Sequence, residues 1–162
     1  VVCEHDPLGR DVELFHRNLY TAGKVGSTVK GSEGAELVDR IVIREEDFKL
    51  VKTRFSAFFS THLHYVLQRE GINSLVITGV QTPNCIWQTF FNDVSLDYQH
   101  VTVLFDATTA TTPDIHLVNM EELLKIYKPN IYGSKQSSLG MELVREMDGD
   151  SNMGSRKHYY ES

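Results

Sequence analysis

The sequence is poor in several residue types, and each shortage excludes a class of protein. Only two cysteines, Cys3 and Cys85, occur among 162 residues. They are too few for a disulfide framework and predict a reducing compartment, the cytoplasm. Basic residues are outnumbered 16 to 22, and the net charge of −6 argues against a nucleic-acid or anionic-membrane partner. No apolar run approaches the roughly 20 residues that span a bilayer.

What is present suits an ordinary globular domain. Hydrophobic content is 41% and charged content 23%, and 162 residues are enough for one domain with a proper core. Strands are predicted at 1–4, 48–53, 75–77 and 101–105, and helices at 61–69, from Cys85 onward and at 113–127. This alternation predicts an α/β fold, a three-layer α/β/α sandwich around a mostly parallel, Rossmann-like sheet.

Helical spacing also predicts which residues face the core. An apolar face is predicted for three segments. It consists of Leu14, Phe15 and Leu19 in the first, Leu63, Val66 and Leu67 in the second, and Ile115, Val118, Leu123 and Leu124 in the third. Beyond Lys128 the sequence turns rich in Ser, Gly and charge. Residues 1–128 are therefore predicted to form the domain, and 129–162 a flexible tail to which no strand or helix is assigned.

The stretch SLVITGVQTPNCIWQTFFND (74–93) carries the strongest chemical signal. An apolar run ends at Gly79 and helical periodicity begins at Cys85, which places Cys85 between a parallel strand and a helix. That is the carboxyl edge of the sheet, where open α/β folds bind ligands, and the helix dipole there favours a nucleophilic thiolate. The alternative is a buried cysteine that only fills core space, as free cysteines commonly do.

A second stretch, KTRFSAF (52–58), delivers Lys52 to the carboxyl end of a predicted strand. On the residues alone, Lys52 is equally well a surface charge. Taken with VITGVQTPNC (76–85) and DAT (106–108), however, the stretch resembles the isochorismatase-like cysteine hydrolases, in particular their plant nicotinamidase-type members. The likeness runs from about residue 5 to 108, and its specificity lies in the ordered combination of motifs.

In that family an Asp, a Lys and a Cys form the catalytic triad, and the resemblance assigns two of these roles to Lys52 and Cys85. The family aspartate follows the first strand, which lies in the middle of the sheet, and nothing in this chain matches it. Because Val1, Val2 and Cys3 look like the inside of a strand, we expect a truncated domain whose central strand and aspartate lie upstream.

The resemblance implies amide hydrolysis. Cys85 would attack the carbonyl of a small carboxamide such as nicotinamide, expel ammonia and leave a thioester for water to hydrolyse. The aspartate would act as base and then as acid, and Lys52 would hold it beside the thiolate. The turn at 79–82 resembles one in which the family has a cis peptide bond, here Val80–Gln81. The N–H groups of Gln81 and Cys85 would then form the oxyanion hole.

For each remaining candidate for the substrate site, a purely structural role is the alternative to a role in binding substrate. Phe55, Phe58 and Trp87 would wall a pocket for an aromatic ring, although core packing is the commoner role of such residues. Arg54 and Asp106 match family positions, and structural roles as pairing or capping groups are favoured for them.

Metal-ligating residue types are present, but their spacing argues against a metal site. His62 and His64 are two apart on a predicted helix and so point to different faces. Residues 4–6 with His16 lack the spacing of the zinc motif that some nicotinamidases have. The sequence therefore predicts no metal and no cofactor, with a small-molecule amide as the partner.

Two classes of function stay open. One is a cysteine amidohydrolase; the other is a truncated or divergent isoform without catalysis that acts as an interaction partner. An upstream apolar strand followed by Asp would favour the first. For the 162-residue chain alone, we expect activity on carboxamides near background. Oligomerisation is common in the family, and a homo-oligomer is an open expectation.

Overall fold

Short runs of β-branched and aliphatic residues form the strands, and the described strands pair in parallel. The computed structural model describes residues 1–21, 24, 26–127 and 130–132. One sheet contains β1 (Val2–Cys3) and β2 (Val51–Lys52). A second sheet contains β3 (Ser74–Val80), β4 (His100–Thr109) and β5 (Asn130–Tyr132), in that order. The parallel α/β class predicted from the sequence is confirmed, and the strands are divided between two sheets.

Three α-helices alternate with these strands in the described residues. Helix α1 (Leu63–Arg69) precedes β3, α2 (Trp87–Ser95) joins β3 to β4, and α3 (Pro113–Tyr127) joins β4 to β5. Proline at the first position of α3 suits a helix start, because its missing N–H has no intrahelical partner there. Two tighter helical segments, Leu14–Tyr20 and Glu33–Ala35, lie between β1 and β2.

The core lies between the three-stranded sheet and helices α2 and α3. Its buried members come from β3, β4, both helices and the turn before α2: Ile77, Val101, Val103, Phe105, Phe90, Met120, Leu123 and Ile86. Burial of one such side chain stabilises the fold by roughly 1.5–3 kcal/mol. This packing fixes the end of β3, which leads into the turn that carries Cys85.

A register shift interrupts the pairing of β3 with β4, which then continues through Gly79 and Val80. Leu75 and Ile77 lie opposite Val101 and Val103, but Gly79 lies opposite Thr108. Gly79 has φ +114°, a conformation that side chains rarely adopt. Such irregularities re-aim the end of a strand, here towards the turn that carries Cys85.

The face predicted for the first helical segment is wrong. Leu14 is 76% exposed and Phe15 67% exposed. The segment Leu14–Tyr20 is a 3₁₀ helix with three residues per turn, so spacing typical of an α-helix does not align its apolar side chains on one face.

The face predicted for α3 is partly wrong. Leu123 is fully buried as expected, but Ile115 and Val118 are exposed. The buried face is instead formed by His116, Met120 and Leu123. His116 hydrogen-bonds to two other parts of the core, and this fixes the rotation of the helix about its axis.

Strand β5 was not predicted from the sequence, and its three residues pair with Thr102, Val103 and Leu104 of β4. Three residues are too few for periodicity to show. The rest of the predicted tail, 133–162, lies outside the described residues, as do 128 and 129. Within the part of the chain that the structure covers, every helix is too short or too polar to span a bilayer.

Candidate active site

The structure brings Lys52 and Cys85 together, 33 positions apart in sequence. Lys52 ends β2 and is only 6% exposed, although it carries an ammonium group. Its Nζ donates hydrogen bonds to the carbonyl oxygen of Arg54, at 2.7 Å, and to Cys85 Sγ, at 3.2 Å. A buried lysine whose amine contacts a half-buried thiol is a pair able to support a thiolate nucleophile.

Cys85 lies in a wide helical turn, Thr82–Ile86, between β3 and α2. The Val80–Gln81 peptide bond just before this turn is cis, the isomer that the family resemblance implies. Pro83 occupies the start of the turn. Cys85 therefore sits just ahead of α2, close to the position predicted from the sequence.

A buried hydrogen-bond relay fixes this turn to the core. Thr82 is fully buried, and its hydroxyl contacts His116 Nδ1 at 2.8 Å. His116 Nε2 contacts the carbonyl oxygen of Phe105 at 3.1 Å. Nε2 must donate to that carbonyl, so Nδ1 is the acceptor for Thr82. Burial lowers the pKa of His116, in keeping with a neutral ring.

The second thiol, Cys3, shares the neighbourhood of Lys52. Cys3 lies opposite Lys52 in the β1–β2 register, and its Sγ is 3.1 Å from His5 Nε2. Burial raises the pKa of the Cys3 thiol, and the positive charge of Lys52 opposes part of that increase. The Cys85 side chain is close enough for its charge to raise the Cys3 pKa further. Cys3 is thus less readily ionised than an ordinary thiol, and it serves as the comparison thiol for Cys85.

His5 is held by neutral partners rather than placed for a metal. Its Nδ1 is hydrogen-bonded to Thr28 Oγ1 at 2.9 Å and contacts the Tyr20 hydroxyl. Burial lowers the pKa of His5. Asp6 pairs with Arg10, and His16 packs its ring on Phe55. The described residues contain no group of three or more His, Cys, Asp or Glu arranged to hold a metal ion.

The other residues singled out from the two motifs have their own packing partners. Phe58 has its ring 5.8 Å from that of Tyr98, and Trp87 has its ring 5.1 Å from that of Phe91. Trp87 also packs against the core cluster. Arg54 lies over the ring of Phe59. For these residues, packing contacts account for the positions that the structure gives.

The remaining candidates have contacts or positions of their own. Phe55 follows Lys52 by three positions and contacts the Leu14–Tyr20 segment. His62 packs against Phe48, and His64 Nδ1 contacts the Tyr98 hydroxyl at 3.0 Å. Asp106 lies exposed within β4.

Sequence analysis missed one carboxylate beside the site. Glu13 Oε1 accepts a hydrogen bond from the backbone N–H of Phe55 at 2.6 Å. Glu13 Oε2 is buried and has no hydrogen-bond partner within the described part of the chain. Glu13 precedes the motif by about 40 residues, so no local pattern pointed to it. Among the described residues no carboxylate forms an ion pair with Lys52.

Two surface cavities of about 260 Å³ lie elsewhere. One is lined by residues of β1 and of 31–37, and the other by Val1, Val2 and residues of 37–49. Neither is lined by Lys52 or Cys85. The short contact between a buried amine and a thiol identifies the candidate site on chemical grounds, which cavity volume does not.

Comparison with known proteins gives consistent matches. A family model described as "Isochorismatase domain" matches residues 1–129. The chain is 61% identical over 127 residues to the "Probable inactive nicotinamidase" of Arabidopsis thaliana, a match that covers 78% of this chain and 65% of that protein. It is 41% identical over 85 residues to the ureidoacrylate amidohydrolase of Caulobacter vibrioides, which covers 52% of this chain and 37% of that protein.

A solved structure agrees in fold. The isochorismatase family protein of Desulfovibrio vulgaris aligns with a TM-score of 0.73 and 31% sequence identity, over 91% of this chain and 73% of that one. The sequence matches to the two curated relatives span 65% and 37% of their lengths.

Proposed function

This chain belongs to the isochorismatase family, and from that premise we propose that it is part of a cysteine amidohydrolase that acts on a small carboxamide such as nicotinamide. The supporting observation is the 3.2 Å contact between Lys52 Nζ and Cys85 Sγ. The two relatives are named a "Probable inactive nicotinamidase" and a ureidoacrylate amidohydrolase, which supports the substrate class. A thiolate suits this substrate class because it forms a thioester that water can later hydrolyse.

The proposed reaction has two halves. The Cys85 thiolate attacks the carbonyl carbon, the C–S bond forms, and the oxygen takes the negative charge. The C–N bond then breaks, ammonia leaves with a proton from an acid group, and a thioester remains. Water adds to the thioester and expels the thiolate, which yields the carboxylic acid. Lys52 stabilises the anionic sulfur before attack and after release.

The two backbone N–H groups proposed to stabilise the anionic oxygen belong to Gln81 and Cys85. Both residues lie at the turn that Thr82 and His116 fix to the core. Hydrogen-bond donors that are already held in place need not reorganise when negative charge develops on the substrate oxygen. Loss of one such donor lowers kcat by about 10²–10³. We propose that the buried relay to His116 supplies this rigidity.

The proposed acid–base group is the family aspartate, which the resemblance places on a preceding strand. In the described residues, β2 is the single strand partner of β1, and β4 is the single strand partner of β3. One edge of β1 and one edge of β3 therefore have no strand partner there. A strand between them would end near Lys52 and Cys85, where the aspartate is needed.

An aldehyde analogue separates the nucleophile from the acid–base step. The thiolate adds to 3-pyridinecarboxaldehyde with no leaving group to protonate, so the missing aspartate matters little. We expect a reversible thiohemiacetal on Cys85, detected by NMR with a ¹³C-labelled aldehyde carbon. Cys85→Ala should abolish it and Cys3→Ala should preserve it. Absence of the adduct in the folded wild-type chain would overturn the proposal.

A second function, an isoform without catalysis, is favoured by two observations. The 61% identical Arabidopsis protein is named inactive, and no described carboxylate pairs with Lys52. Ammonia release from nicotinamide distinguishes the two functions when it is measured for the 162-residue chain and for a longer protein that adds the family strand and aspartate. We expect near-background release from the 162 residues alone and release dependent on Cys85 in the longer protein.

A further inference from the structure

We infer that Glu13 is a positioning residue for the pair formed by Lys52 and Cys85, acting through the peptide group between Arg54 and Phe55. The inference rests on the proposed role of Cys85 as a nucleophile. It assigns to Glu13 the task of holding one carbonyl oxygen towards Lys52, so that the ammonium group stays beside the sulfur.

A single peptide group connects the two side chains. Its N–H, from Phe55, donates to Glu13 Oε1 at 2.6 Å. Its carbonyl, from Arg54, accepts from Lys52 Nζ at 2.7 Å. A trans peptide group is planar, and its N–H and C=O point in opposite directions. The direction fixed by Glu13 on one side therefore sets the direction of the carbonyl on the other.

The ammonium group of Lys52 needs a fixed acceptor to hold its orientation. An ammonium group has three donors and rotates freely about its stem. The two acceptors found for Nζ are the Arg54 carbonyl and Cys85 Sγ. With the carbonyl fixed, one donor is held and the remaining donors are directed to the sulfur. If the peptide group rotated, the ammonium would spread over more positions and contact Cys85 less often.

The contact of Glu13 with Phe55 has the properties of a strong hydrogen bond. It joins a carboxylate to an N–H at short distance, and charge-assisted hydrogen bonds are roughly twice as strong as neutral ones. Hydrogen bonds in a chain also polarise one another, which strengthens the carbonyl as an acceptor. The negative charge of Glu13 raises the pKa values of Cys3 and His5. Loss of that charge alone would favour a thiolate nearby, so slower alkylation in Glu13→Ala would report lost positioning and not lost charge.

The surrounding packing keeps Glu13 at this peptide group. The ring of Phe55 lies 5.8 Å from that of Phe15 and 4.9 Å from that of His16, both of which follow Glu13 in the chain. These contacts join the Leu14–Tyr20 segment to the residues after Lys52. A capping role alone would explain the bond to Phe55, but it predicts no effect on the chemistry of Cys85.

The test is the rate of Cys85 alkylation by iodoacetamide as a function of pH, followed by mass spectrometry of the Cys85 peptide. Glu13→Ala should slow alkylation at pH 7 roughly two- to tenfold, the range expected for one lost hydrogen bond, and should move the profile to higher pH. Glu13→Gln keeps an acceptor oxygen for Phe55 and should restore most of the rate. Asp11→Ala is the matched control, because Asp11 binds the N–H of Asp6 instead.

A folded Glu13→Ala protein with the wild-type alkylation profile would overturn the inference, and so would an equal effect of Asp11→Ala. If Glu13→Ala does not fold, the amide resonance of Phe55 in Lys52→Met serves instead. Coupling through the peptide group predicts that this resonance moves, and an unmoved resonance overturns the inference. The alkylation readout needs no substrate, so failure of the aldehyde adduct alone would remove the proposed function and leave the role of Glu13 measurable.

Discussion

Asp93 makes the stability of this protein depend on pH in a direction that is unusual for a carboxylate. It lies on α2, is fully buried, and neither of its carboxylate oxygens has a hydrogen-bond partner among the residues that the structure describes. Burial alone raises its pKa from 3.8 to about 7. Below pH 7 the folded protein therefore carries a neutral acid at this position.

The direction of this pH dependence follows from the number of protons that the folded and the unfolded state bind at Asp93. Between about pH 4 and pH 7 the folded state binds a proton that the unfolded state has released. The contribution of Asp93 to stability is thus complete below the unfolded pKa and is lost as pH rises through the folded pKa. About three pKa units at 1.36 kcal/mol each give a loss of roughly 4 kcal/mol in the free energy of unfolding.

The substitution that isolates this effect is Asp93→Asn, which has nearly the same shape and is neutral at every pH. We expect the variant to match or fall slightly below the wild type at pH 5 and to be more stable at pH 8. Urea unfolding at four pH values from 5 to 8 measures the difference. Asp97→Asn is the control, because Asp97 is exposed and its φ of +61° suits Asn. A wild-type-minus-variant difference that does not change with pH would refute the reasoning.

Two further substitutions test the turn that carries Cys85. Thr82→Val removes the hydroxyl that contacts His116 and leaves a buried nitrogen unpaired. It should lower the free energy of unfolding by about 1–3 kcal/mol and slow Cys85 alkylation, with thermal unfolding and mass spectrometry as the measurements; unchanged values of both would contradict the relay. Gly79→Ala meets no atom within 4 Å, so its cost comes from backbone conformation at φ +114°. We expect a loss of about 1–2 kcal/mol in urea unfolding, and a neutral result would exclude the strained geometry.

The features that could be predicted from the sequence are those set by residues close together in the chain. Lys52 and Cys85 are each placed at the end of a strand by the residues around them, and the ends of parallel strands meet at one edge of a sheet. In the described residues these two strands belong to separate sheets, so the contact itself had to be found in the structure. The bounds of α3, Pro113–Tyr127, follow from a proline start and continuous helical spacing.

Features that depend on distant contacts were missed. His116 looks like one polar residue on a helix, yet Thr82 and Phe105 satisfy both its ring nitrogens and bury it. Because His116 faces the core, Ile115 and Val118 are exposed to solvent although both are hydrophobic. Glu13 contacts the backbone of Phe55, which any residue type could supply. Such contacts leave no periodic pattern in either segment.

The central claim is that Lys52 activates Cys85, and competitive alkylation of the two cysteines in one molecule tests it most directly. Each peptide is quantified by mass spectrometry after brief exposure to iodoacetamide at pH 7, in the wild type and in Lys52→Met, which keeps the apolar stem. The account predicts that Cys85 reacts faster than Cys3 and that Lys52→Met slows Cys85. Equal rates for the two thiols, or a Cys85 rate unchanged by Lys52→Met, would contradict it.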